Sequence, residues 1–95
     1  MNSKTILIID DEPKNLEVLV GGLVNSKFQV VTSTSGYNGL EKVRKLKPDL
    51  ILMDVLMPKM NGFETCRHLK TNQKTRDIPV LFMSGSSSKV EDKLE

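Results

Sequence analysis

Cysteine is almost absent from this chain: Cys66 is the single one among 95 residues, which excludes an internal disulfide framework. Long apolar runs are missing as well. The longest, such as Ile6-Leu7-Ile8-Ile9, are strand-sized and fall far short of the roughly 18 apolar residues needed to cross a bilayer. The opening Met1-Asn2-Ser3-Lys4-Thr5 lacks the apolar stretch of a signal peptide, so a cytoplasmic location without membrane association is expected. Charge of one sign is lacking too, because 14 Lys and Arg are scattered among 12 Asp and Glu for a formal net charge of +2. Without a basic stripe to neutralise a row of phosphates, nucleic-acid binding by this segment is not expected. No repeat, low-complexity tract or linker divides the chain. One domain over residues 1–95 is therefore expected, with 38% hydrophobic content supplying one small core.

What is present is an alternation of two periodicities. Four short apolar runs read as strands: Ile6 to Ile9, Gln29 to Thr32, Leu50 to Met53, and Val80 to Met83. The first, third and fourth are nearly continuous in aliphatic residues, Phe and Met, the pattern of parallel strands covered on both faces. Between them lie helical spacings. Leu16, Leu19, Val20, Leu23 and Val24 would form one buried stripe on a helix from about Lys14 to Ser26, with Pro13 in its first turn. Leu40, Val43 and Leu46 mark a second helix from near Ser35 to just before Lys47-Pro48. Phe63, Cys66 and Leu69 mark a third, and the S-x-x-E pattern Ser88-Lys89-Val90-Glu91 opens a fourth. Strands separated by helices imply an α/β fold with a parallel sheet and right-handed crossovers. In such folds ligands sit beyond the carboxyl ends of the strands.

The residues at those ends are acidic. Asp10, Asp11 and Glu12 follow the first strand, Asp54 follows the third and Ser84 the fourth. Alone, Asp10-Asp11 would read as a charge cluster at a helix N-terminus. Together with Asp54 they place several carboxylates in one crevice, where two unit charges about 5 Å apart repel by roughly 3 kcal/mol at an effective dielectric of about 20. A cation relieves that repulsion, and a few hard oxygen ligands suit Mg²⁺. Cys66 and His68 offer no rival site, since residues two apart point to different faces of a helix. Cys66 reads as a small apolar filler, His68 as a solvated helix residue, and Met53, Met57, Met60 and Met83 as packing.

Three separated segments carry a resemblance across nearly the whole chain: Ile6-Leu7-Ile8-Ile9-Asp10-Asp11-Glu12-Pro13, Asp49 to Glu64 with Asp54-Val55-Leu56-Met57-Pro58 and Asn61-Gly62, and Ile78-Pro79-Val80-Leu81-Phe82-Met83-Ser84-Gly85. In order and spacing they resemble the receiver domain of two-component response regulators. The resemblance implies a flavodoxin-like, doubly wound sheet of about four strands and four helices in the order 2-1-3-4. It also implies that Asp54 accepts a phosphoryl group from a sensor histidine kinase or phosphotransfer protein, as a non-enzymatic signalling module. Mg²⁺ would be held by Asp11 and Asp54, by Asp10 largely through water, and by the backbone carbonyl of Leu56. Ser84 matches the switch hydroxyl. Pro58 and Gly62 match the turn of the acceptor loop, where glycine is expected to supply backbone freedom.

The family pattern continues with a fifth strand bearing a lysine, then a proline and a fifth helix, none of which is in this sequence. Lys89 and Lys93 fall in the capping-box segment and do not match that lysine. The expectation is thus a C-terminally truncated receiver whose fourth strand is an open edge, favouring a homodimer through Val80 to Met83. A competing implication is a dimerising or kinase-binding module without phospho-switching. A phosphatase acting through an aspartyl phosphate would carry an acid two residues after its nucleophile, where this chain has Leu56.

Overall fold

The computed structural model describes residues 4–24 and 26–83. Within them four strands alternate with three helices: β1 (Thr5–Ile9), α1 (Pro13–Leu23), β2 (Gln29–Ser33), α2 (Gly36–Leu46), β3 (Leu50–Asp54), α3 (Gly62–Lys70) and β4 (Val80–Met83). All pairings are parallel, and the strand order is β2-β1-β3-β4. This is the flavodoxin-like α/β architecture and order expected from the sequence. The fourth helix expected at Ser88 lies outside the described residues.

The near-continuous apolar strands are explained by burial on both faces. Leu7 and Ile9 of β1 and Ile51 and Met53 of β3 pack against Val43 of α2 and Leu69 of α3. Ile6 and Ile8 point the other way, against Leu16 of α1. Parallel register aligns these sets across the sheet, with Leu7 beside Ile51 and Ile51 beside Val80. Each face of β1 is thereby closed by a helix, which the amide ladder alone would not achieve. No helix among the described residues is long and apolar enough to cross a membrane.

Local chemistry sets the helix ends. At α2, the Ser35 side chain accepts from Asn38 N–H at 3.1 Å, and Lys47 closes the other end in a left-handed conformation just before Pro48. α1 stops at Leu23, short of the expected Ser26. Gly21 and Gly22 weaken its last turn, and Ser26 Oγ turns the chain by donating to the Leu23 carbonyl at 2.7 Å and accepting from Phe28 N–H at 3.2 Å. Val24 consequently falls outside the stripe and is 70% exposed. Phe63, Cys66 and Leu69 all lie on α3, as expected of the third helix. The buried side of α3 is Gly62, Thr65 and Leu69, whereas Phe63 is 55% exposed and meets Phe82 of the outermost described strand edge-to-face, with centroids 5.0 Å apart. Thr65 tolerates full burial because its hydroxyl donates to the Asn61 carbonyl at 2.8 Å.

Candidate functional site

Adjacent parallel strands deliver Asp10 and Asp54 to the same end of the sheet. Asp10 directly follows β1, and Asp54 is the last residue of β3 rather than the first residue beyond it. Because Ile9 is in register with Met53, the next residue along each strand is one of these two carboxylates. Asp11 adds a third from the loop entering α1. One ligand oxygen from each of Asp10, Asp11 and Asp54 lies within 4.8 Å of the others. The sequence-predicted acids are therefore brought together.

Asp10 and Asp54 are almost completely buried and Asp11 partly so. Asp10 is oriented by its neighbour: Oδ1 accepts from the Glu12 backbone N–H at 3.0 Å. Its other oxygen, Oδ2, is buried and accepts no hydrogen bond among the described residues. Such an oxygen carries a desolvation cost of several kcal/mol for a charged group unless a cation or donor meets it. At the observed separations each pair of full charges would repel by about 3 kcal/mol at an effective dielectric of about 20. An orphaned carboxylate oxygen in an all-oxygen cluster fits a hard divalent cation. Leu56 sits two residues past β3, half-buried. Ser84 lies outside the described residues.

The loop after Asp54 has a construction that the sequence reading took differently. Gly62 has no positive φ; the left-handed residue is Lys59, with φ 69°. Gly62 is needed for close approach, since a Cβ there would fall against the Asp54 carbonyl oxygen and 3.0 Å from Val55 Cα. Its N–H donates to the Val55 carbonyl at 2.8 Å, and Met60 N–H donates to the Pro58 carbonyl at 2.8 Å, closing a three-residue turn around Lys59. Asn61 and Glu64 complete the seat as a reciprocal capping box, with Glu64 N–H donating to the Asn61 side chain at 2.8 Å and Asn61 N–H to Glu64 Oε1 at 3.0 Å. The N-x-x-E spacing was the sequence signal for these two residues. Met57 and Met60 are buried beneath the loop, and His68 is solvated, in keeping with the readings above.

Comparison with known proteins agrees with this geometry. The family model described as response regulator receiver domain matches residues 6–95. A probable cyclic di-GMP phosphodiesterase of Vibrio cholerae is 37% identical over 90 residues, 95% of this chain and 20% of that protein. Protein PilH of Pseudomonas aeruginosa is 38% identical over 79 residues, 83% of this chain and 65% of that protein. Among solved structures, the N-terminal domain of a response regulator receiver protein from Methanoculleus marisnigri superposes with a TM-score of 0.80 at 35% identity, covering 96% of this chain and 79% of that one. The chain thus spans a fifth to about two-thirds of these curated relatives. With its sheet order, its acid cluster and a family match along nearly its full length, this chain belongs to the response regulator receiver domain family.

Proposed function

We propose that this chain is the receiver of a cytoplasmic phosphorelay and that Asp54 takes its phosphoryl group from a phosphohistidine on a sensor kinase or phosphotransfer protein. An Asp54 carboxylate oxygen attacks phosphorus, the phosphorus–nitrogen bond breaks, and the imidazole leaves with the electron pair, giving an acyl phosphate. The observation that supports this most strongly is the cluster of Asp10, Asp11 and Asp54 with its orphaned Asp10 oxygen. These carboxylates, with the Leu56 carbonyl, would hold Mg²⁺. When bound, the ion offsets charge on the transferring group and aligns it.

The protein's own part is positional. Glu12 N–H fixes Asp10, the Gly62 contact holds the peptide of Asp54, and burial of Asp54 limits competing water. The Ser84 hydroxyl would move toward the phosphoryl oxygens. As a signalling module the chain would stop at the acyl phosphate, and Leu56 in place of an acid two residues after Asp54 supports this over phosphatase turnover. A complete acid cluster likewise favours acceptance of phosphate over a binding module that has lost it.

Intact-mass analysis after exposure to acetyl phosphate tests the reading. Addition of one phosphoryl mass that requires both Mg²⁺ and Asp54, and is lost in Asp54→Asn, is the expected result. A folded, metal-binding protein that gains no mass, or gains it equally in Asp54→Asn, overturns it.

A further inference from the structure

At the end of the sheet opposite the acid cluster, the C-terminal ends of α2 and α3 and the segment that follows α3 surround a cavity of about 540 Å³. A second of about 410 Å³ adjoins it, sharing Arg44, Asn72, Lys74 and Thr75. Leu40, only partly buried, is the apolar part of the floor and packs on the fully buried Val43 and Leu69. Thr75 is also buried, with its hydroxyl donating to the Leu69 carbonyl at 2.6 Å. The rim has a single sign of charge. Arg44, Lys47 and Lys74 line the two cavities together with His68, and neither cavity is lined by Asp or Glu.

Arg44 and His68 stand in the last turns of α2 and α3, where basic residues commonly balance the helix dipole, but Lys47 and Lys74 lie past the helix ends. Lys70 donates to the Arg76 and Ile78 carbonyls at 2.9 and 2.8 Å, and the Lys47 N–H closes α2 on the Val43 carbonyl. Lys74 lies beyond α3 and belongs to no helix. The ion pair formed among the described residues is Lys45–Glu41, which uses none of the rim cations. Asn72 Oδ1 accepts from Lys74 N–H at 2.9 Å, and Asn72 and the exposed Gln73 both line the trough with side-chain amides.

A partly apolar floor under a cationic rim with side-chain amides selects an occupant that is anionic, carries an aliphatic group, and exposes backbone acceptors. Arg44, His68, Asn72, Gln73 and Lys74 are all exposed, so the trough is open along its length, whereas small-molecule sites enclose most of their ligand. We infer that this trough between α2 and α3 is a docking site for an acidic peptide segment of a protein partner, with a leucine-like anchor against Leu40 and carboxylates on Arg44 and Lys74.

The test uses the ¹⁵N-labelled full chain titrated with a synthetic peptide of repeating Glu-Leu-Asp, a Lys-Leu-Lys peptide, and ATP. The acidic peptide should shift the amides of Arg44, Lys47, Leu69 and residues 71–75, at lower affinity in high salt. The double variant Arg44→Glu with Lys74→Glu, judged folded by its dispersed spectrum, should bind it at least about tenfold more weakly. That variant should still accept phosphate from acetyl phosphate, so failure here is separable from failure at Asp54. No shifts, equal binding of the basic peptide, or unchanged affinity in the double variant would overturn the inference. Saturation of the same amides by ATP as tightly as by the peptide would also overturn it, in favour of a small-anion site.

Discussion

Gly62 lies directly against the backbone of Asp54: a Cβ at position 62 would meet the Asp54 carbonyl oxygen and come within 3.1 Å of its carbonyl carbon. The obstacle is main chain, which cannot rotate out of the way as a side chain can. Gly62→Ala should therefore move either the first turn of α3 or the end of β3, costing on the order of 2–3 kcal/mol. The urea midpoint should fall, and cation binding should weaken in parallel because Asp54 shares the displaced peptide. An alanine variant with the wild-type midpoint would show that the contact is relieved without strain.

Asp10 gives a prediction of opposite sign. Its buried Oδ2 accepts no hydrogen bond among the described residues, and it sits within 4.8 Å of two further carboxylates. Asp10→Asn keeps the shape and the acceptor for Glu12 N–H while removing a charge. Without divalent cations the variant should be more stable by on the order of 1–3 kcal/mol, a rise in Tm of several degrees. With Mg²⁺ the order should narrow or reverse, because the wild type gains stability through binding. Thermal unfolding in EDTA and in Mg²⁺ measures both, and a less stable variant in EDTA would refute the assignment.

The sheet order and the acid cluster were legible because both depend on periodicity and on residues at strand ends. Ile6 to Ile9 and Leu50 to Met53 each read as doubly covered strands, and Asp10 and Asp54 follow from where those strands stop. The loop was less legible. Gly62 reads equally as a flexible residue or as a contact residue, and only the approach of the Asp54 carbonyl distinguishes them. Helical spacing placed Phe63 on the third helix but could not report its neighbour: beside the outermost described strand, it meets Phe82 instead of a core. Val24 was lost to the local turn made by Ser26, which stripe counting ignores. The basic trough had no sequence signature, since Arg44 and Lys74 are thirty positions apart and read separately as solvated charges.

Lys59 holds a φ of 69°, a conformation that costs a residue with a Cβ about 1–2 kcal/mol. Glycine adopts it without that cost, although it loses more backbone entropy on folding. Lys59→Gly should therefore be neutral to stabilising, by up to about 1 kcal/mol, whereas glycine at a typical exposed position with negative φ destabilises. Chemical denaturation gives the sign. Clear destabilisation would mean that the Lys59 side chain contributes more than its backbone conformation costs.

The outer strand of the described sheet supplies the last test. Leu81 and Phe82 are 56% and 43% exposed, and no Lys, Pro or acidic residue interrupts Val80 to Met83, the devices by which edge strands usually discourage pairing. Leu81 projects to the α1 side, beside Leu52 in register, so a second copy added at this edge would extend the sheet and cover it at once. Pairing of copies at this edge would be visible as a concentration-dependent rise in sedimentation coefficient. Leu81→Lys puts a charge where the pairing would bury an aliphatic side chain worth about 1.5–3 kcal/mol, so the dimer should weaken by at least about tenfold. The proposed phosphoryl acceptor, Asp54, lies at the end of the neighbouring strand in register with Met83. If the edge does pair, Leu81→Lys should reduce association while leaving the mass addition at Asp54 intact; a wild-type chain that stays monomeric across the concentration range would remove the edge as an interface.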